Sequence, residues 1–336
     1  MRRVLRGTLF SVLTIRTDGQ RIVATRQRGG VLRARRCNNL RMNPCALGCI
    51  ATVLVSAQTM AAVTEWTPHI VSSDRFESHA AFDPRTGDFY FVRSAPDFSG
   101  WKLFVSKCGK IGWEQASPPA FAGDGLEADP WFTADGATLY FISSRSTDGR
   151  HHDDLDLWKV TRDAQGQWGT PQRLPEPLNS RAQEWFPRIG ADGWLWFGSG
   201  RAGGLGKTDI WRARETSPGH WEVRNAGPAI NTAGHEYEAE MSLDGTRLII
   251  NTAEVLYEST FDGKSWSPRV RMAAELNVNG SEIGALWSPS GHSMLFSRDI
   301  KGAKSGEFML WNDGVAERWP PACGSSHAAP TKRQIE

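Results

Sequence analysis

A chain of 336 residues with 39 basic and 37 acidic side chains is long enough for one large all-β domain or two ordinary ones, and its 15 Trp and 34 Gly favour many short strands joined by tight turns. Charge is unevenly placed: residues 1–61 hold 11 Arg, no Lys and one acid, Asp18, which leaves 28 basic against 36 acidic residues beyond them. A mildly acidic body without a Lys/Arg stripe lacks the footprint that phosphate backbones select, so nucleic acid is excluded as an expected partner.

The first segment reads as an export signal. The Arg-rich opening precedes an apolar run, Ala46 to Ser56 (ALGCIATVLVS), and then Thr59-Met60-Ala61-Ala62, the order of basic segment, apolar core and small residues that a secretory signal requires. Residues 1–62 are therefore expected to be a basic extension plus signal peptide. Residues 1–41 make a poor fold candidate, and Met42 is an alternative start. Cleavage near Ala62 or Val63 would leave a periplasmic or secreted protein with no stable membrane insertion, because the run is short of the roughly 20 residues a spanning helix needs. Cys49 follows small residues, but Leu47 stands one place late for a lipobox.

Five internal repeats follow. Glu77, Glu127, Glu184, Glu236 and Glu282 each begin a stretch ending in a turn: Thr86-Gly87, Asp135-Gly136, Asp192-Gly193, Asp244-Gly245 and Ser290-Gly291. A short apolar strand follows each turn, from Phe89-Tyr90-Phe91 in the first repeat to Met294-Leu295-Phe296 in the last. Asp-Gly between two such runs is a strong hairpin signal. Third strands are carried by Leu103-Phe104, Leu157-Trp158, Ile210-Trp211, Leu256-Tyr257 and Met309-Leu310, and fourth strands are marked by Trp113, Trp168, Trp221 and Trp266. Units of this kind cannot bury both faces alone, so they must stack around an axis and close. The expected fold is all-β: a single β-propeller of about five four-stranded blades over residues 63–322, closed by pairing of N- and C-terminal strands, with a disordered tail at 323–336. Trp66-Thr67-Pro68 and Trp319-Pro320 compete to supply the closing strand.

Segments such as EADPWFTADGATLYFISSR and EWFPRIGADGWLWFGSGRAGGLGKTDIW resemble the WD-repeat-like units of TolB-type propellers across roughly residues 64–320. The resemblance implies a periplasmic or secreted propeller that binds protein or glycan partners.

A residue present in every repeat serves something every repeat has, so the five Glu are expected to be structural. Asn179, Asn231 and Asn277 each lie five residues before one of them, and Arg145 and Arg201 end second strands on the same face. Glu, Asn and Arg are expected to meet there in inter-blade hydrogen bonds and ion pairs. Along strand one, alternation with period two puts the first, third and fifth residues after each Glu in the core, Trp185, Tyr237 and Ala128 among them. The second and fourth share the Glu side and differ between repeats. His79, Asp129, Trp131, Arg188, Glu238 and Glu240 at these positions form the candidate ligand site, an irregular ring lining an open channel.

Other motifs call for no metal or cofactor. His151-His152-Asp153-Asp154 reads as a solvated loop, Gly203-Gly204-Leu205-Gly206 as a turn preceding a strand, and no Gly-x-Ser-x-Gly elbow or paired-Cys motif occurs. Three functions follow as expectations: a monomeric binding module for an envelope protein or glycan, a five-bladed glycoside hydrolase using Asp129, Glu238 and Glu240, or a non-catalytic scaffold. After signal cleavage only Cys108 and Cys323 remain, and closure of the ring would bring them near enough to pair.

Overall fold

The computed structural model describes residues 11–17 and 20–26 by their backbone, and residues 61–146, 154–252, 254–300 and 306–324 in full. The expected signal segment, Cys37, Cys45, Cys49 and residues 151–153 lie outside the described residues. Two units divide at residue 56. In the first, β1 (Ser11–Thr17) pairs antiparallel with β2 (Gln20–Arg26). A hairpin therefore stands where no folded element was expected: Thr17 pairs with Gln20, and the sequence between them, Asp-Gly, is a hairpin signal between strands.

The second unit is all-β, its only helix among the described residues being a 3₁₀ turn at Ala274–Leu276. It opens with β3 (Ala62–Glu65), then β4 (Phe76–Phe82), β5 (Phe89–Ser94) and β6 (Lys102–Ser106), followed by a two-residue hairpin, β7 (Cys108–Gly109) and β8 (Gly112–Trp113). Three four-stranded antiparallel meanders come next. They are β9 (Glu127–Phe132), β10 (Thr138–Ser143), β11 (Asp156–Thr161) and β12 (Gln172–Arg173), then β13 (Glu184–Ile189), β14 (Leu195–Ser199), β15 (Asp209–Ser217) and β16 (His220–Asn225), then β17 (Glu238–Met241), β18 (Arg247–Asn251), β19 (Leu256–Thr260) and β20 (Val270–Arg271). The chain ends with β21 (Ile283–Trp287), β22 (Ser293–Asp299) and β23 (Gly306–Asn312).

The N-terminal β3 adds to the outer edge of β23, with Ala62 opposite Asn312 and Glu65 opposite Met309, and Trp66 N donates to Phe308 O at 2.8 Å. The N-terminal segment therefore completes the last sheet, while Trp319 packs on the neighbouring core. The innermost strands touch in cyclic order: β4 contacts β9, β9 contacts β13, β13 contacts β17, β17 contacts β21, and β21 contacts β4. Cys108 and Cys323 are joined by a disulfide with their Cα atoms 5.4 Å apart, so residue 323 belongs to the ordered body and not to the expected tail.

The hairpin signals act as expected of their residues. Gly87, Gly136, Gly193, Gly245 and Gly291 all have positive φ, between 62° and 76°, which only Gly adopts without penalty. The preceding Asp orders the turn by accepting a backbone N–H, as Asp135 does from Ala137 at 2.9 Å and Asp244 from Thr246 at 3.0 Å.

Three expectations need correction. Trp113, Trp168 and Trp266 do not lie in fourth strands of their sheets: Trp113 sits in the small β7–β8 hairpin, and the other two make single bridges to Arg162 and Phe261 ahead of β12 and β20. The first sheet ends at β6, with only a bridge from Val105 to Ser117 beyond it. Most important, strand one does not alternate regularly. β4, β9, β13 and β21 each carry a register shift, centred on His79, Asp129, Phe186 and Gly284, all with positive φ between 50° and 66°. Pro130 and Pro187 directly follow two of these residues, and a proline that cannot donate to a ladder is tolerated at a bulge. Among the described residues no helix is long and apolar enough to cross a membrane.

Candidate functional site

The repeat Glu residues are buried, each against an arginine. Glu77 meets Arg93 at 2.7 Å, Glu184 meets Arg201 at 3.1 Å, Glu236 meets Arg269 at 2.6 Å, Glu282 meets Arg298 at 2.7 Å, and Glu127 pairs with Arg145. Arg93, Arg145, Arg201 and Arg298 also lie over the ring two or four residues earlier in strand two, and donate to carbonyls of the loop before the Glu. Each guanidinium thus staples strand, loop and carboxylate together. Burial raises the carboxyl pKa of Glu77, Glu127 and Glu184, although their hydrogen bonds and arginine neighbours oppose it. Asn179, Asn231 and Asn277 do not join these pairs. Each clamps the backbone N–H and C=O of a third-strand residue, Leu157, Ile210 and Leu256, because a primary amide offers the donor and acceptor that an edge needs.

The predicted ring does converge, but as a buried cluster and not an open channel. His79, Asp129, Arg188, Glu238 and Glu240 are each at most 9% exposed, with Phe186 fully buried among them. The bulges turn the residue after each first-strand Glu+1 position inward, and Phe186 fills the centre, its ring 3.5 Å from the Arg188 guanidinium carbon. His79 Nε2 lies 3.2 Å from Asp129 Oδ1 and 3.0 Å from Glu238 Oε1. Asp129 Oδ2 accepts from Phe186 N at 2.8 Å, and Glu238 Oε2 accepts from Gly284 N at 2.8 Å and Asn251 Nδ2 at 3.1 Å. Arg188 Nε donates to Glu240 Oε2 at 3.1 Å.

Burial decides several protonation states here. It works against the imidazolium of His79, but the Asp129 and Glu238 carboxylates outweigh it and raise the pKa. Burial raises Asp129, and it lowers Arg188. Burial also opposes ionisation of Glu238, yet its bonds from His79, Gly284 and Asn251 prevail and lower it. Glu240 is pushed up to about 7, because burial exceeds what Arg188 returns.

Above His79, Asp129 and Glu238 lies a cavity of about 290 Å³ on the face where second strands end. Its walls include Ala128, which is core as alternation assigned it, and Trp185 and Tyr237, which are only partly buried; a bulge follows Trp185, whereas the strand of Tyr237 has none. Phe98 and Trp101, from the loop between β5 and β6, complete an aromatic row. Trp101 is 5.8 Å from Trp185, and Trp185 is 6.0 Å from Tyr237, centroid to centroid. Trp101 Nε1 donates to Phe98 O at 2.5 Å, with Phe98 held at φ 62°, a conformation that costs a bulky residue roughly 1–3 kcal/mol and concentrates at working sites. Asn251 also lines this cavity. Comparison of second strands would have singled it out, since it stands where Val92, Ile142 and Gly198 occur. Trp131 is not part of this cavity: with Arg188 and Glu240 it lines a second one, of about 180 Å³, beside the turns between first and second strands. Among the described residues no group of His, Cys, Asp and Glu is placed to hold a metal ion.

No family model matches this chain, and no curated protein matches it. Solved structures are similar only at a distance. A putative TolB from Agrobacterium tumefaciens shares 16% identity at a TM-score of 0.46, covering 74% of this chain and 81% of that one. A gluconolactonase, XC5397 from Xanthomonas campestris, shares 10% at 0.44, covering 76% and 91%. A thermostable family-43 glycoside hydrolase shares 12% at 0.43, covering 78% and 98%. Likeness at this level carries no argument about what the chain does.

Proposed function

We propose that this chain is an exported, closed five-bladed propeller of TolB-like type that acts as a binding module for an envelope protein or glycan, with the aromatic cavity as its recognition site. The observation that carries this reading is that the three ionisable groups under the cavity are engaged with one another. A glycoside hydrolase needs one carboxyl free to protonate a leaving group and another free to activate water or attack. Here Asp129 and Glu238 share one imidazole and accept backbone N–H groups, an arrangement suited to holding a fixed floor. Aromatic walls over such a floor supply the anchors that dominate binding interfaces.

The test is capture of partners from envelope extract by the wild-type protein and by Trp185→Ala, alongside a screen of common glycans for binding and hydrolysis. Loss of capture or glycan binding in the variant, with unaltered folding, supports the reading. Hydrolysis that disappears in Asp129→Asn would replace it with the hydrolase. Capture that Trp185→Ala leaves intact would favour a scaffold working through its rim.

A further inference from the structure

The floor of the cavity offers acceptors and donors already committed to one another. Asn251 spends both N–H donors on Glu238 Oε2, at 3.1 Å, and Glu282 O, at 3.0 Å. Its carbonyl oxygen Oδ1 is then fixed as an acceptor, and it is buried without a hydrogen-bond partner among the described residues. Such an orphan is a cost to the fold unless a donor reaches it. Asp129 and Glu238 keep lone pairs to spare, since a carboxylate has about four acceptor sites. One imidazole faces these two carboxylates, while Arg188 and Glu240 pair with each other and line the second cavity. The first cavity's floor therefore carries more negative than positive charge.

The walls describe the rest of the occupant. Val92, Ala128, Ile142 and Ile283 are aliphatic, and the aromatic row stands beside them. A sugar would bring a hydroxyl on nearly every carbon, and these walls offer few polar partners for them, the Tyr237 and Thr252 hydroxyls and the Trp185 indole N–H. A slender apolar stem ending in a cation suits both parts: methylenes against the walls, a charged donor at the floor.

We propose that the cavity takes a primary alkylammonium group, as presented by a lysine side chain of a partner protein, with its N–H donors shared among Asn251 Oδ1, Asp129 and Glu238. This rests on the cavity being the recognition site. An ammonium has three donors, matching an orphan amide oxygen and two incompletely used carboxylates, and ring faces add further attraction to a desolvated cation. Neutralising the amine removes both terms.

The experiment titrates the full chain with Nα-acetyl-lysine amide, its Nε-acetylated form, Nα-acetyl-norleucine amide and glucosamine, following heat and Trp fluorescence. The lysine compound is expected to bind saturably, with affinity falling by about tenfold or more for the acetylated and norleucine compounds, and again in Asn251→Leu. Equal binding of the neutral compounds, or no binding of the lysine compound, overturns the inference. Glucosamine binding without lysine binding overturns it in favour of an amino sugar. Capture of envelope partners by wild-type protein but not by Trp185→Ala, alongside no lysine binding, would leave the site standing and refute only the ammonium; capture indifferent to Trp185→Ala would remove the site itself.

Discussion

Replacing Glu240 by Gln should flatten the dependence of stability on pH. Burial moves the Glu240 pKa from an ordinary 4.5 to about 7, so the folded state holds this proton more tightly than the unfolded chain does. Stability from the protonated carboxyl is fully present below about pH 4.5 and is lost as pH rises towards about 7. A shift of that size corresponds to on the order of 3 kcal/mol, at about 1.4 kcal/mol per pKa unit. Gln mimics the protonated acid and does not titrate. Urea unfolding at about pH 5 and about pH 8 should show wild type losing roughly 2–3 kcal/mol more than Glu240→Gln over the interval. His79, Asp129 and the repeat carboxyls with raised pKa change stability in the same direction, and Glu238 in the opposite one, but these are common to both proteins. At about pH 5 wild type too presents Arg188 with a neutral partner, and at about pH 8 the carboxylate's pairing with Arg188 is already contained in the pKa, so the loss of that charge adds nothing further to the difference. Equal slopes for the two proteins, or a steeper fall in the variant, would refute the assignment of a raised pKa to Glu240.

Glu184→Ala should destabilise by about 3 kcal/mol, since it strands Arg201 and the Ser180 and Ser199 hydroxyls in a buried site; thermal unfolding reads it as a drop of several degrees. Gly284→Ala should cost about 1–2 kcal/mol for φ at 66° alone, and more because the new methyl would lie 2.9 Å from His79 N; calorimetry measures the loss, and the His79 ring resonances should shift with it. Cys323→Ser should lower stability by up to roughly 5 kcal/mol in the chain-entropy limit, and thiol labelling of the unfolded, unreduced variant should find Cys108 reactive.

The repeat was legible because it is written in residue types with few alternatives. Glycines at positive φ mark the turns, and a recurring Glu marks the start of each inner strand. The site was only half legible for a related reason. Period-two reasoning correctly selected His79, Asp129, Arg188, Glu238 and Glu240 as the positions where repeats differ, but it assumed an unbroken ladder. Nothing in the residues at 79 or 186 announces a bulge; the two prolines after residues 129 and 186 were the available signal, since neither can donate to a central strand. Once the bulges are admitted, Trp185 turns from core to cavity wall; Tyr237 does so without one. Phe98 and Trp101 were hidden because they sit in the connection between second and third strands, where no other repeat carries an aromatic residue.

The fourth repeat departs from the others in three ways that bear on one another. Its inner strand β17 carries no register shift, its repeat Glu is held by Arg269 from just before the fourth strand β20, and its second strand ends in Asn251, followed by Thr252. In the first and last repeats the position of Thr252 is occupied by Arg93 and Arg298, whose guanidinium groups cover that face. Supplying the guanidinium from Arg269 keeps Glu236 paired while leaving the end of β18 uncovered, and it is there that the cavity opens beside Asn251 and Thr252. Thr252→Arg should therefore close the site by placing there the side chain that the first and last repeats carry. The substitution forfeits the Thr252 hydroxyl's bonds to Val255, worth about 1 kcal/mol, but leaves the Glu236–Arg269 pair intact. Partner capture should fall by about tenfold or more, the cost of filling an anchor pocket, while thermal unfolding moves by only a few degrees. Undiminished capture by the Thr252→Arg protein would show that the asymmetry of the fourth repeat has nothing to do with recognition.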